Sequence, residues 1–166
     1  MINKDTHNSF SLTNVMLVFI LSLCLLISGC TFKKSSGSTG STVSNATKAT
    51  ALKSAKQQIG VPYRYGGSNP KQGFDCSGLI LHSYSQAGIK IPRTTKEQFK
   101  AFKPVKNPAI GDLVFFGSRG TPNHAGIYVG NNKMLHAPST GKKVEIVTLS
   151  PAWKKRYLGA RIVTKR

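Results

Sequence analysis

Gly73-Phe74-Asp75-Cys76-Ser77-Gly78-Leu79-Ile80 decides how this chain is read. It places one thiol where an irregular, glycine-bearing segment turns into an apolar helical run. Leu79, Ile80, Tyr84 and Ala87 make the buried stripe of a helix that begins at or just before Cys76, and Gly88 supplies its left-handed stop. A thiol at a helix N-terminus meets the positive end of the helix dipole, which lowers its pKa from about 8.5. Ser77 and Gly78 let a substrate approach the backbone closely. The other two cysteines, Cys24 and Cys30, belong to an N-terminal apolar run. Cys76 therefore has no disulfide partner within the domain, and its setting favours chemistry over packing.

Outward from Cys76 the pattern is first helical, then β. On the N-terminal side, Ala51, Leu52, Ala55 and Ile59 fall on one helical face, with order expected from Thr47 and a stop at Gly60. Val61 to Gly67 reads as a loop. On the C-terminal side, Thr94-x-x-Glu97 has the spacing of a capping box and signals a third, short helix. After Pro108 come short β-type runs at Leu113–Phe116, Ala125–Val129, Met134–His136, Val144–Leu149 and Tyr157–Val163. Helices followed by a meander of strands predict an α+β domain with an antiparallel sheet over residues 47–166.

Two histidines can serve Cys76. His124 opens one strand and His136 ends the next, with Gly130-Asn131-Asn132 as the turn between them. Both are even-numbered, so an in-register hairpin projects them from the same face, while a slip of one residue separates them. In register, His124 takes the proton of Cys76 and His136 holds the His124 ring; such a base contributes about 10²–10⁴-fold in rate. His82, six residues after Cys76 in the same helix, is expected to be structural. Asp112 is expected to be a turn residue entering a strand. The types Cys76, His124, His136 and Asp112 also suit zinc, although the close ligand pairs of structural zinc sites are absent.

Val15 to Ser28 is an apolar run of fourteen residues, short of the roughly 20 needed to span a bilayer and suited to a signal-peptide core. It ends in Ile27-Ser28-Gly29-Cys30, which resembles the bacterial lipobox. That resemblance implies removal of residues 1–29, lipidation of Cys30, and a membrane anchor held by several acyl chains. Thr31 in place of Asp then implies outer-membrane sorting facing the periplasm in a two-membrane organism, and the cell membrane otherwise. Residues 30–46 are Ser/Thr/Gly-rich and read as a lipidated N-terminus and tether reaching about 20–25 Å root-mean-square.

The chain carries 24 Lys and Arg against 5 Asp and Glu, a net +19. Removing residues 1–29 takes away one base, Lys4, and one acid, Asp5, and leaves that balance unchanged. It calls for a polyanionic neighbour or, more simply, a solvated basic face. For an exported protein the neighbour is anionic wall or lipopolysaccharide; no nucleic acid is expected.

Tyr63-Arg64-Tyr65-Gly66-Gly67, the Cys76 segment, Pro92-Arg93-Thr94-Thr95 with Gln98, Gly111 to Phe116, and His124 to Val129 with His136-Ala137 are matched in order to one family. The chain, over about residues 50–165, resembles the NlpC-type papain-like cell-wall peptidases. The resemblance implies a papain-like fold, with N-terminal helices packed on an antiparallel sheet. Cys76 would be the nucleophile, His124 the base and His136 its orienting partner. Tyr63 would donate to the oxyanion hole, and Asp75, Ser77 and Arg93 would line the substrate groove. The implied substrate is the stem peptide of peptidoglycan, cut by a cysteine peptidase acting as a murein endopeptidase, with no metal or organic cofactor. The expected state is a monomer. An amidase or acyltransferase could use the same three residues, and a non-enzymatic wall-binding lipoprotein would need none of them.

Overall fold

The structure, a computed structural model, describes residues 41–165. The expected signal segment 1–29, the lipid-attachment residue Cys30 and the tether as far as residue 40 lie outside the described residues.

The described structure is already ordered at Ser41, ahead of the expected Thr47. Val43 is buried and donates its N–H to Val163 O at 3.0 Å, and Lys165 N–H bonds Ser41 O at 2.8 Å. One valine in a Ser/Thr stretch gives no periodic signal, and its partner lies at the far end of the sequence. Helix α1 (Asn45–Lys56) follows, with the Ser44 hydroxyl accepting from Thr47 N–H at 3.2 Å. Ala51, Leu52 and Ala55 are buried as expected, but Ile59 is 49% exposed. The helix ends at Lys56, and the turn to Gly60 (φ +91°) swings Ile59 off the buried face.

A two-stranded hairpin, β1 (Ser68–Asn69) and β2 (Gly73–Phe74), leads into α2 (Cys76–Ser85). Its strands are too short to give a sequence signal. A Cβ on Gly78 would overlap the Gly67 carbonyl oxygen, so the loop lies directly on the first turn of α2. Helix α3 (Thr95–Ala101) carries both halves of the capping box: Glu97 N–H to Thr94 Oγ1 at 3.3 Å, and Thr94 N–H to Glu97 Oε2 at 3.0 Å.

Six strands form one antiparallel sheet: β3 (Lys103–Val105), β4 (Leu113–Ser118), β5 (Thr121–Gly130), β6 (Lys133–His136), β7 (Glu145–Thr148) and β8 (Tyr157–Ile162). Their order is β3-β8-β4-β5-β6-β7. Helix α4 (Pro151–Lys155) precedes β8. β3 is largely exposed, with Val105 half-buried and Pro104 tolerated because the strand lies at the sheet edge. Neither β3 nor α4 has a periodic pattern long enough to read.

The sheet is covered on both faces. Toward the helices, Leu113, Phe115, Ala125, Ile127 and Leu135 pack with Leu79, Ile80 and Tyr84. On the other face Val114, Phe116, Met134 and Ala160 pack under Leu149 and Trp153. This explains the unbroken apolar run Leu113–Phe116, where both alternations are buried. Truncating Leu79, fully buried at this junction, costs about 2–5 kcal/mol.

Lys48 of α1 reaches across to Asp112, Nζ to Oδ1 at 2.6 Å, with both side chains buried. Asp112 Oδ2 accepts Ala109 N–H at 2.8 Å, and the Tyr84 hydroxyl donates to the neighbouring Gly111 carbonyl. Asp112 does enter a strand from a turn, but it is also the buried anchor of α1. No helix among the described residues is long and apolar enough to cross a membrane.

Candidate active site

The N-terminus of α2 is organised by its cap. Asp75 Oδ1 accepts Gly78 N–H at 2.6 Å and the Ser77 hydroxyl at 3.1 Å; Oδ2 accepts Gly66 N–H at 3.0 Å. Arg93 closes on the same carboxylate with both terminal nitrogens, at 2.7 and 3.1 Å, and also donates to Ser77 Oγ at 3.0 Å. Burial alone would raise the Asp75 pKa, but the Arg93 guanidinium, the Gly78 N–H and the Ser77 hydroxyl outweigh it and hold the carboxyl below its usual range. The three residues expected along the groove are thus one bonded cluster. They border a cleft of about 500 Å³ that Cys76, Tyr63 and Asn123 also line.

Cys76 is a free thiol and 8% exposed. Its Sγ lies 3.5 Å from Thr95 Oγ1, and the backbone N–H groups of Ala125 and Ser77 favour its charged form. Burial nevertheless pushes its pKa up, outweighing the Thr95, Ala125 and Ser77 contacts, and Asp75 adds to the rise. The lowered pKa expected from the helix end is therefore corrected: the resting group is a thiol, because desolvation of a thiolate here exceeds what the local donors return.

Strand β5 carries His124 immediately before Ala125, whose backbone N–H favours the charged form of Cys76. The hairpin is in the register that joins the histidines: Ile127 opposes Leu135 and Tyr128 opposes Met134, with an irregularity only at the turn. His124 Nε2 and His136 Nδ1 are 2.8 Å apart, with perpendicular rings. Burial, then the charges of His136 and Arg156, depress His124 to about 3; burial, then Lys142, depresses His136 to about 4. Both imidazoles are neutral at neutral pH. With His124 Nε2 facing His136, Nδ1 is the nitrogen left to accept a proton.

Trp153 of α4 packs on both imidazoles, with centroids 5.3 Å from His124 and 5.4 Å from His136, and Phe116 lies 4.8 Å from the indole. Sequence reasoning missed this cover, although Ser150-Pro151 carries a helix-start signal, proline at the first helical position. It also missed the Thr95 contact with Cys76. Gln98, fully buried, donates to the Ser77 and Pro92 carbonyls at 3.0 and 2.9 Å and fixes α3 against α2. Tyr63 borders the cleft beside Cys76, and burial followed by the nearby Cys76 and Asp75 raises its phenol pKa, keeping it a hydrogen-bond donor. His82 instead packs on Phe74 in the last turn of α2, at a centroid distance of 5.2 Å. Among the described residues no three His, Cys, Asp or Glu side chains form a metal cage, and Asp112 is committed to Lys48.

Residues 60–162 match the sequence profile of the NlpC/P60 family. The chain belongs to the NlpC/P60 family. This NlpC/P60 domain is 46% identical over 129 residues to murein DD-endopeptidase MepH of Escherichia coli, covering 73% of this chain and 47% of that protein. It is 47% identical over 111 residues to murein DD-endopeptidase MepS/murein LD-carboxypeptidase of the same organism, covering 64% of this chain and 58% of that one. The chain thus spans about half the length of these relatives. A crystal structure from Staphylococcus aureus, of a protein similar to a lipoprotein of the NLP/P60 family, superposes with a TM-score of 0.67 at 32% identity, covering 78% of this chain and 45% of that one. The expected α+β, papain-like architecture is the one found.

Proposed function

We propose that this chain is a lipid-anchored cysteine peptidase that hydrolyses peptide bonds in peptidoglycan stem peptides or cross-links. The observation that carries the reading is the 2.8 Å His124–His136 contact, made from the strand whose Ala125 backbone N–H favours the charged form of Cys76. The names of the relatives, murein endopeptidases, supply the substrate class.

In the mechanism, His124 Nδ1 takes the thiol proton as Sγ attacks the scissile carbonyl carbon. Because thiol and imidazole are both neutral at rest, transfer accompanies attack. The Cys76 N–H and the Tyr63 hydroxyl stabilise the oxyanion. The carbon–nitrogen bond then breaks, and His124 returns the proton to the leaving amine. Water, deprotonated by His124, releases the acyl group and restores the thiol. Arg93, Ser77 and Asp75 line the groove that receives the peptide.

Cys30, acylated after removal of residues 1–29, would hold the domain at the membrane, on the periplasmic face of the outer membrane where there are two. Incubating the protein with defined muropeptides and identifying fragments by mass tests the reaction: peptide fragments support it, whereas freed glycan or acyl transfer indicates an amidase or transferase. Loss of all cleavage in Cys76→Ala is required. Cys30→Ser should move the protein from the membrane fraction to the soluble fraction.

A further inference from the structure

Four carboxylates fall within the described residues, and three are committed. Asp75 is bound by Arg93, Asp112 by Lys48, and Glu97 by its own helix cap. The fourth, Glu145, sits directly opposite His136 in the β6–β7 ladder. Its Oε1 lies 3.9 Å from His136 Nε2.

His136 is 2% exposed, and its Nε2 is a buried polar atom with no hydrogen-bond partner. For His124 Nδ1 to accept the thiol proton, His124 must carry its own proton on Nε2. That proton points at His136 Nδ1, which must then be an acceptor. His136 is consequently protonated at Nε2, and this N–H faces Glu145. A buried donor left unpaired is costly, and the half-exposed Glu145 carboxylate 3.9 Å away is the acceptor that faces it. Such contacts are often long in a resting enzyme and tighten as charge develops. Lys142 acts in the opposite sense, disfavouring charge on His136.

We propose that Glu145 is a positioning residue, the fourth member of a relay Cys76–His124–His136–Glu145, which accepts the Nε2 proton of His136 and fixes the tautomer of both rings. The catalytic part rests on the peptidase reading above; the tautomer part stands also on Glu145 alone, because a carboxylate can only accept and so calls for an N–H at the His136 Nε2 that faces it.

Two measurements on the full chain separate these. Nitrogen-15 NMR of the histidine side chains should show His136 protonated at Nε2, with that resonance shifted in Glu145→Gln. In muropeptide cleavage, Glu145→Gln should lower kcat about three- to tenfold with KM unchanged, and Glu145→Asp, which restores the charge, should recover part of the loss. Circular dichroism verifies that both variants fold. Protonation of His136 at Nδ1, an Nε2 signal unmoved in Glu145→Gln, wild-type kcat in Glu145→Gln, or Glu145→Asp no better than Glu145→Gln would each overturn the proposal. Failure of the wild-type protein to cleave any muropeptide would sink the peptidase reading, while the NMR result still decides the contact.

Discussion

His124 Nε2 and His136 Nδ1 face one another at 2.8 Å, so a single proton serves both nitrogens and the tautomer of one ring dictates that of the other. Removing either ring should have unequal effects. His124→Ala deletes the proposed base and should lower kcat about 10²–10⁴-fold. His136→Ala leaves the base in place but unoriented, so its loss should be smaller, with KM little changed. Steady-state kinetics on one muropeptide compares the two, and an equal or larger loss in His136→Ala would contradict these roles.

Tyr63→Phe removes from the cleft wall the hydroxyl proposed as an oxyanion donor and leaves the ring in place. One such donor is worth about 10²–10³ in turnover. Unchanged kcat in this variant would assign the oxyanion to other donors.

Lys48→Met should be among the most destabilising substitutions in α1. It leaves the buried Asp112 carboxylate without its counter-ion, at a cost of about 3–5 kcal/mol. Adding Asp112→Leu removes the stranded charge and should recover much of that loss. Urea unfolding followed by circular dichroism reads both, and a double variant less stable than Lys48→Met would refute the argument.

Acid should destabilise the fold in a defined window. His124 and His136 titrate at about 3 and about 4 in the folded chain, against about 6.5 unfolded. Below pH 6.5 the unfolded chain binds protons that the native pair refuses. Stability contributed by the neutral pair is therefore complete above pH 6.5 and is lost as pH falls toward 4 and then 3. Each unmatched proton costs about 1.4 kcal/mol per pH unit. Asp75, held low in the fold, adds a loss of the same sign further into acid. A urea midpoint flat from pH 7 to pH 4.5 would contradict the burial of the pair.

The elements that position the site were legible because their signals are local. The apolar stripe after Cys76, the Thr94–Glu97 cap and the even spacing of His124 and His136 on either side of a short turn are each carried by a few adjacent residues. What was not legible depends on long-range contact. Val43 pairs with Val163, Lys48 finds Asp112, and Trp153 covers two histidines from a five-residue helix. The direction of the Cys76 pKa belongs to the same class. A helix end is visible in sequence, but the depth at which the sulfur is buried is not.

Trp153 is the only tryptophan in the chain. A protonated imidazole quenches indole fluorescence through excited-state electron transfer, whereas a neutral one does so far less. Because this indole rests on the rings of both His124 and His136, its emission is a built-in optical gauge of the charge on the proposed base. It can be followed in real time without label or substrate, and it would dim when either ring gains a proton.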